Sequence, residues 1–195
     1  MRVRSYLLLA ACLFFASPAA ARAQGNPWTA TLYYGPSTTK FFVAAVESLK
    51  LQPTGTMIGL AADRRLAYLG WDISLAGEGQ ITQYFFGHTD TTVALGLGFQ
   101  ADDLFGYKRT SLNIYDGPSY ATDPPYTSIG YKGRIWPSQR KKWQNFIGVE
   151  FAVGIPWDRH WDAVFRLYHR SGLFGVYNES DDDGLAFGAG MRCHF

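Results

Sequence analysis

Residues 161 to 171 read WDAVFRLYHRS, and this stretch constrains the fold more than any other. Successive side chains of a β-strand point to opposite faces, so as a strand it sets Trp161, Ala163, Phe165, Leu167, His169 and Ser171 on one side. Asp162, Val164, Arg166, Tyr168 and Arg170 fall on the other. The first row is apolar until it ends in a histidine and a serine, and the second is largely charged. In a water-soluble protein the apolar row would point into a core. In an outer-membrane barrel it would point into lipid, with the charged row turned to the lumen.

Residues 1 to 23 have the form of a secretory signal. Arg2 and Arg4 make a basic start, Tyr6 to Ala16 an apolar run, and Ala21-Arg22-Ala23 a small-x-small cleavage site before Gln24. The run is too short, and too soon followed by Pro18, to cross a membrane as a helix. A rival reading takes Leu9-Ala10-Ala11-Cys12 as a lipoprotein box, and it is weaker because the cysteine lies so near the start with apolar sequence after it. The expected organisation is a cleaved signal peptide over 1 to 23 and one barrel domain over 24 to 195. Cleavage removes Arg2, Arg4 and Arg22 and no acid, leaving 15 basic against 16 acidic residues and taking the formal net charge from +2 to −1. That balance offers no footprint for nucleic acid. Cys193 alone remains of two cysteines, so no disulfide within the mature chain can staple the fold, and it reads as a small apolar surface residue.

Past the signal there is no run of about 18 apolar residues, so any membrane crossing must be made by strands. The aromatic share is 16%, with six Trp and twelve Tyr. Rings with a polar tip suit the two membrane interfaces, where barrels carry their aromatic girdles.

Turn chemistry divides the mature chain into eight strands. They are Trp28 to Tyr34, Met57 to Tyr68, Leu69 to Tyr84, Thr91 to Phe99, Tyr107 to Ala121, Trp143 to Pro156, Trp161 to Ser171, and the closing run to Phe195. Asp63-Arg64-Arg65 form polar insertions, and Asp116-Gly117-Pro118 break the fifth strand. Lys40 to Leu51 fits a short amphipathic helix or an irregular continuation equally, and Asp123-Pro124-Pro125 through Arg140-Lys141-Lys142 reads as a long polar loop. In the sixth strand Ile147, Val149, Phe151, Val153 and Ile155 form the apolar set, which turns Glu150 to the lumen. A soluble lipocalin-like barrel has a similar strand count but an apolar interior. The eighth strand decides between them, setting Leu185, Phe187, Ala189, Met191, Cys193 and Phe195 against Ala186, Gly188, Gly190, Arg192 and His194. Apolar outside and polar inside, with an aromatic last residue, it predicts an all-β, eight-stranded antiparallel outer-membrane barrel. Arg166, Arg192, His194 and Glu150 are expected to form a lumen charge network.

With both ends in the periplasm, the seventh strand rises from the turn near Trp157 toward the cell surface, so His169 and Ser171 lie at outer-leaflet depth. Asp183, on the following strand, has the same outward parity as Leu185. Ester hydrolysis needs a nucleophile, a base and a group that orients the imidazole, roles that Ser171, His169 and Asp183 can fill in that order. Two residues apart on one strand face, His169 and Ser171 stand about 6 to 7 Å apart by strand rise, close enough to meet once their rotamers lean together. The amides of Gly172 and Leu173 are candidates for an oxyanion hole. The plainer alternative is a polar strand end at the interface, with Glu179, Asp181, Asp182 and Asp183 a solvated loop, and spacing alone favours it. His88 and His160 stand alone, with no metal-ligand spacing.

The segments FRLYHRSGLFGVYNE (165 to 179), WQNFIGVEFAVGIP (143 to 156), GPSYATDPPY (117 to 126) and the closing strand resemble the lipid A 3-O-deacylases of the PagL type and their acyloxyacyl hydrolase-like relatives. The resemblance covers about residues 117 to 195, and the first half only in general pattern. It implies an eight-stranded outer-membrane barrel that removes an ester-linked acyl chain from lipid A. The family uses an H-x-S pair on the membrane-facing wall, which His169 and Ser171 match, and a carboxylate from the last hairpin. This chain departs from the family at Gly172, where an Asn is usual, and at the acid, usually a Glu at the start of the last strand. Asp183 stands there by position, Glu179 is the alternative in the loop, and Ala186 falls there if the alignment is pinned from the C-terminus. Proton and acyl transfer need no cofactor or metal. The expected partners are the lipid A of outer-leaflet lipopolysaccharide and the surrounding membrane lipid of the bacterial outer membrane, with no nucleic acid and with a homodimer left open. The alternative function is a non-enzymatic barrel with a structural or surface-interaction role.

Overall fold

The computed structural model describes residues 28 to 38, 55 to 86, 89 to 123, 142 to 171 and 184 to 195. They form eight strands: β1 (Trp28–Thr38), β2 (Gly55–Gly70), β3 (Ile73–Phe85), β4 (Thr91–Asp102), β5 (Thr110–Ala121), β6 (Trp143–Gly154), β7 (Trp161–Ser171) and β8 (Gly184–His194). Each pairs antiparallel with the next, and β8 pairs back to β1, which closes the barrel and removes every free edge. The shortest strands have 11 residues. At about 3.4 Å rise and about 45° tilt, such a strand covers about 26 Å along the membrane normal, matching an apolar band of about 25 Å.

One end of the barrel has tight connections. Trp71 and Asp72 both take left-handed backbone (φ 52 and 59), as a two-residue hairpin turn with the twist of its strands requires. A short 3-10 turn, Leu104–Gly106, leads into β5, and Arg109 beyond it donates to the carbonyls of Ile155 (2.7 Å) and Asp158 (3.0 Å), fastening this turn to the one before β7. In that second turn Asp158 accepts the backbone N–H of His160 at 2.8 Å, which holds its carboxyl below the ordinary carboxylate range.

The two faces meet different surroundings. Phe165 (65% exposed), Leu97, Phe99, Leu32 and Leu60 stand outward and exposed, whereas Glu78, Glu150 and Arg166 are buried inside. A soluble barrel with an apolar interior has the reverse arrangement, so the lipocalin-like alternative does not describe this chain. The inward row of β7 shows the layering. Near the tight-turn end, Asp162 accepts from Arg192 (2.8 Å) and is hydrogen-bonded to His194 (2.5 Å). At mid-height Arg166 pairs with Glu78 and with Glu150 (2.9 Å), while Arg192 reaches the other oxygen of Glu150 (3.1 Å). The Arg166 guanidinium also lies over the ring of Tyr33, 5.1 Å from its centroid. Beyond this network an aromatic layer begins, with Phe146 and Tyr168 stacked at 5.6 Å. The expected charge network is therefore present, and Glu78 and Asp162 join it.

Other expectations need adjustment. The strand boundary placed at Tyr68 and Leu69 moves to Trp71 and Asp72, and β5 begins at Thr110 rather than Tyr107. β5 also runs unbroken through Asp116-Gly117-Pro118. Pro118 cannot donate to the ladder, yet Ala94 pairs with Ser119 and Leu97 with Asp116 in one register. Gly117 permits this because a Cβ there would strike the Leu95 carbonyl. Of the polar insertions, Asp63 turns inward to accept from Thr29, Arg64 lies 5.2 Å over the Trp28 ring, and Arg65 pairs with Asp102 at 2.6 Å. The segment 40 to 51 and most of the polar loop after Asp123 lie outside the described residues, as does the expected signal peptide.

Candidate functional site

His169 and Ser171 occupy the last outward positions of β7, at the end opposite the tight turns, and both are half-buried. The alternation that takes Phe165 and Leu167 to the outer wall carries them there too. Between them Arg170 points inward and is buried. Its Nε donates to Ser119 Oγ at 2.9 Å and its Nη2 to the Lys142 carbonyl at 3.1 Å. Ser119 sits on β5 and Lys142 just before β6, so one inward side chain fastens the strand end carrying the pair to two other parts of the wall.

The neighbours come from register. On one side His169 pairs with Ile147 and Ser171 with Asn145 of β6. On the other, His169 pairs with Leu185 and Arg170 with Gly184 of β8. The sequence-derived acids Asp183 and Glu179, and the candidate oxyanion amides of Gly172 and Leu173, lie outside the described residues.

Two polar residues join the site that sequence reasoning did not assign to it. Asn145 lies in the outward row of β6, between Trp143 and Ile147, Val149, Phe151 and Val153, and it is 1% exposed. Asp116 stands outward on β5, two residues beyond Ile114. Asn145 Nδ2 donates to Asp116 Oδ1 at 2.6 Å. Asp116, Asn145 and Ser171 thus follow one another across three adjacent strands of the outer wall. The available signal was a polar residue interrupting an otherwise apolar outward row, which parity alone could have raised.

The backbone is similar to the crystal structure of the outer membrane enzyme PagL, with a TM-score of 0.56 and 8% identity over 86% of this chain and 99% of that one. The fold is that of small outer-membrane barrels. Ail, the attachment invasion locus protein of Yersinia pestis, also matches, at a TM-score of 0.48 and 14% identity over 87% of this chain and 99% of its own. No family model matches the chain, and no curated protein does. Identities this low carry architecture only, and the chemistry has to be argued from the side chains on the wall.

Proposed function

We propose that this protein is a bacterial outer-membrane esterase that removes an ester-linked acyl chain from lipid A, at the 3-O position. The observation that carries the reading is the outward, half-buried position of His169 and Ser171 at one end of an apolar wall. A nucleophile there meets a lipid lying beside the barrel rather than one inside it, and the lumen is occupied by buried ion pairs. Polar side chains on a lipid-facing surface are costly and mark function by default. Ser171 Oγ attacks the ester carbonyl carbon while His169 takes the hydroxyl proton. The tetrahedral intermediate collapses, the C–O bond to the sugar breaks, and His169 returns the proton to the departing sugar oxygen. Water then hydrolyses the acyl-serine by the same proton relay and releases a fatty acid. The acid that orients His169 is Asp183, or alternatively Glu179, and the amides of Gly172 and Leu173 are candidate oxyanion donors. PagL, an outer membrane enzyme of similar architecture, makes an enzymatic barrel a reasonable occupant of this fold.

The test is mass spectrometry of lipid A from cells expressing the protein beside cells expressing Ser171→Ala or His169→Ala. Loss of one ester-linked chain is expected with the unmodified protein only. Unchanged lipid A in every strain would turn the reading to a non-enzymatic barrel.

A further inference from the structure

We propose that Asn145, held by Asp116, donates a hydrogen bond to the oxyanion that forms when Ser171 attacks, an assignment that rests on the hydrolase reading above. Past Thr110 at the tight-turn end, the outward rows of β5 and β6 are suited to lipid except at Asp116 and Asn145, and these two converge. Asn145 is 1% exposed, and a buried amide is costly unless its groups are bonded. A carboxylate only accepts, so the atom of the Asn145 amide facing Asp116 is the nitrogen. The 2.6 Å contact is short, as expected of a charge-assisted bond, and it fixes the amide in one orientation.

That bond uses one of the two Nδ2 protons. The second diverges from Asp116 in the amide plane. β6 lies between β5 and β7, and Asn145 is the cross-strand partner of Ser171 on β7. Directly opposed side chains in an antiparallel pair have Cβ atoms about 4.5 to 5.5 Å apart, so an ester carbonyl carbon bonded to Ser171 Oγ brings its oxygen within reach of that N–H. A donor already oriented by a second group needs no reorganisation as negative charge develops, which is the condition for strong transition-state stabilisation. Asn145 would touch the reacting oxygen. Asp116 is a positioning residue that acts only through it.

The experiment uses the full-length protein, purified and refolded, acting on lipid A in mixed micelles, with folding checked by the shift in electrophoretic mobility on heating. Asn145→Ala is expected to lower kcat about 100-fold or more with KM little changed, the effect of losing one oxyanion donor. Asn145→Leu, which has a similar volume and suits the lipid-facing row, is expected to do the same and covers the case in which the alanine variant does not fold. Asp116→Ala should lower kcat by itself and add nothing in the Asn145→Leu background, because its action passes through the amide. Folded Asn145 variants with wild-type kcat would overturn the assignment while leaving the hydrolase standing, provided Ser171→Ala is dead. A raised KM with unchanged kcat would also overturn it, making Asn145 a substrate-binding group. An inactive wild type would overturn the hydrolase reading and this assignment with it.

Discussion

Ser171 and His169 depend on a residue that faces the opposite way. Arg170 enters the barrel and donates to Ser119 and to the Lys142 carbonyl, so the strand end cannot shift without breaking two charge-assisted bonds, the first of them buried. Placement of reacting groups is sensitive, and a displacement of about 1 Å can cost about 100-fold in rate. On the proposed hydrolase reading, Arg170→Met should therefore lower kcat by about 10- to 100-fold while the barrel still folds, measured as fatty acid released from lipid A. A rate within twofold of the unmodified protein would show that the β6 and β8 ladders hold the pair without help.

Each strand carries two rows that answer to two solvents, and β7 shows how strict the separation is. Phe165 is exposed on the outer row while Arg166, the next residue, is fully buried in ion pairs with Glu78 and Glu150. Exchanging polarity on the outer row should cost what a cation costs at mid-membrane. Phe165→Arg is expected to destabilise the folded barrel by about 2 to 4 kcal/mol in lipid, read from denaturant unfolding in vesicles. The same substitution in a detergent that lets the side chain reach water should cost much less. An equal loss in both would mean that the outer row of β7 does not face lipid. A packing limit operates on the inner rows. Gly59 lies beneath the Tyr33 ring, whose hydroxyl is bonded to Gln80 (2.7 Å) and Thr82 (2.9 Å), so a side chain added at Gly59 has to displace an anchored ring.

Closure into eight strands leaves an interior just wide enough for its own side chains to fill. Here it is filled at mid-height by Arg166, Glu78 and Glu150 and above that by aromatic rings. Arg192 joins Glu150 to Asp162 and so extends the network toward the tight turns, where a polar cavity of about 390 Å³ opens. Removing one member leaves its buried partners short of a counter-charge, although Arg166 keeps Glu78 and Arg192 keeps Asp162. Glu150→Ala should cost about 3 to 5 kcal/mol, measured as a lowered unfolding midpoint in lipid, because two arginines lose a carboxylate. The same filling predicts that the protein inserted in a planar bilayer passes no steady ion current. A stable single-channel conductance would contradict a packed lumen.

The outward placement of His169 and Ser171 was legible in eleven residues, because a side-chain period of two assigns every residue of a strand to a face once one is assigned. The inward charges Arg166, Glu150, Arg192 and His194 followed from the same parity. Parity did not name partners. Asn145 and Ser171 meet only because β6 and β7 pair in one register, and Asn145 and Asp116 only because β5 and β6 do. A slip of two residues would keep every side chain on its face and change every neighbour, so the alternation of a single strand holds no record of it. Turn lengths and the closure of β8 onto β1 settle the registers, and both belong to the whole barrel. The amino-acid sequence alone determined which residues of β6, β7 and β8 face lipid and which face the lumen. Only the tertiary structure decided that Asp116, Asn145 and Ser171 stand side by side on the outer wall.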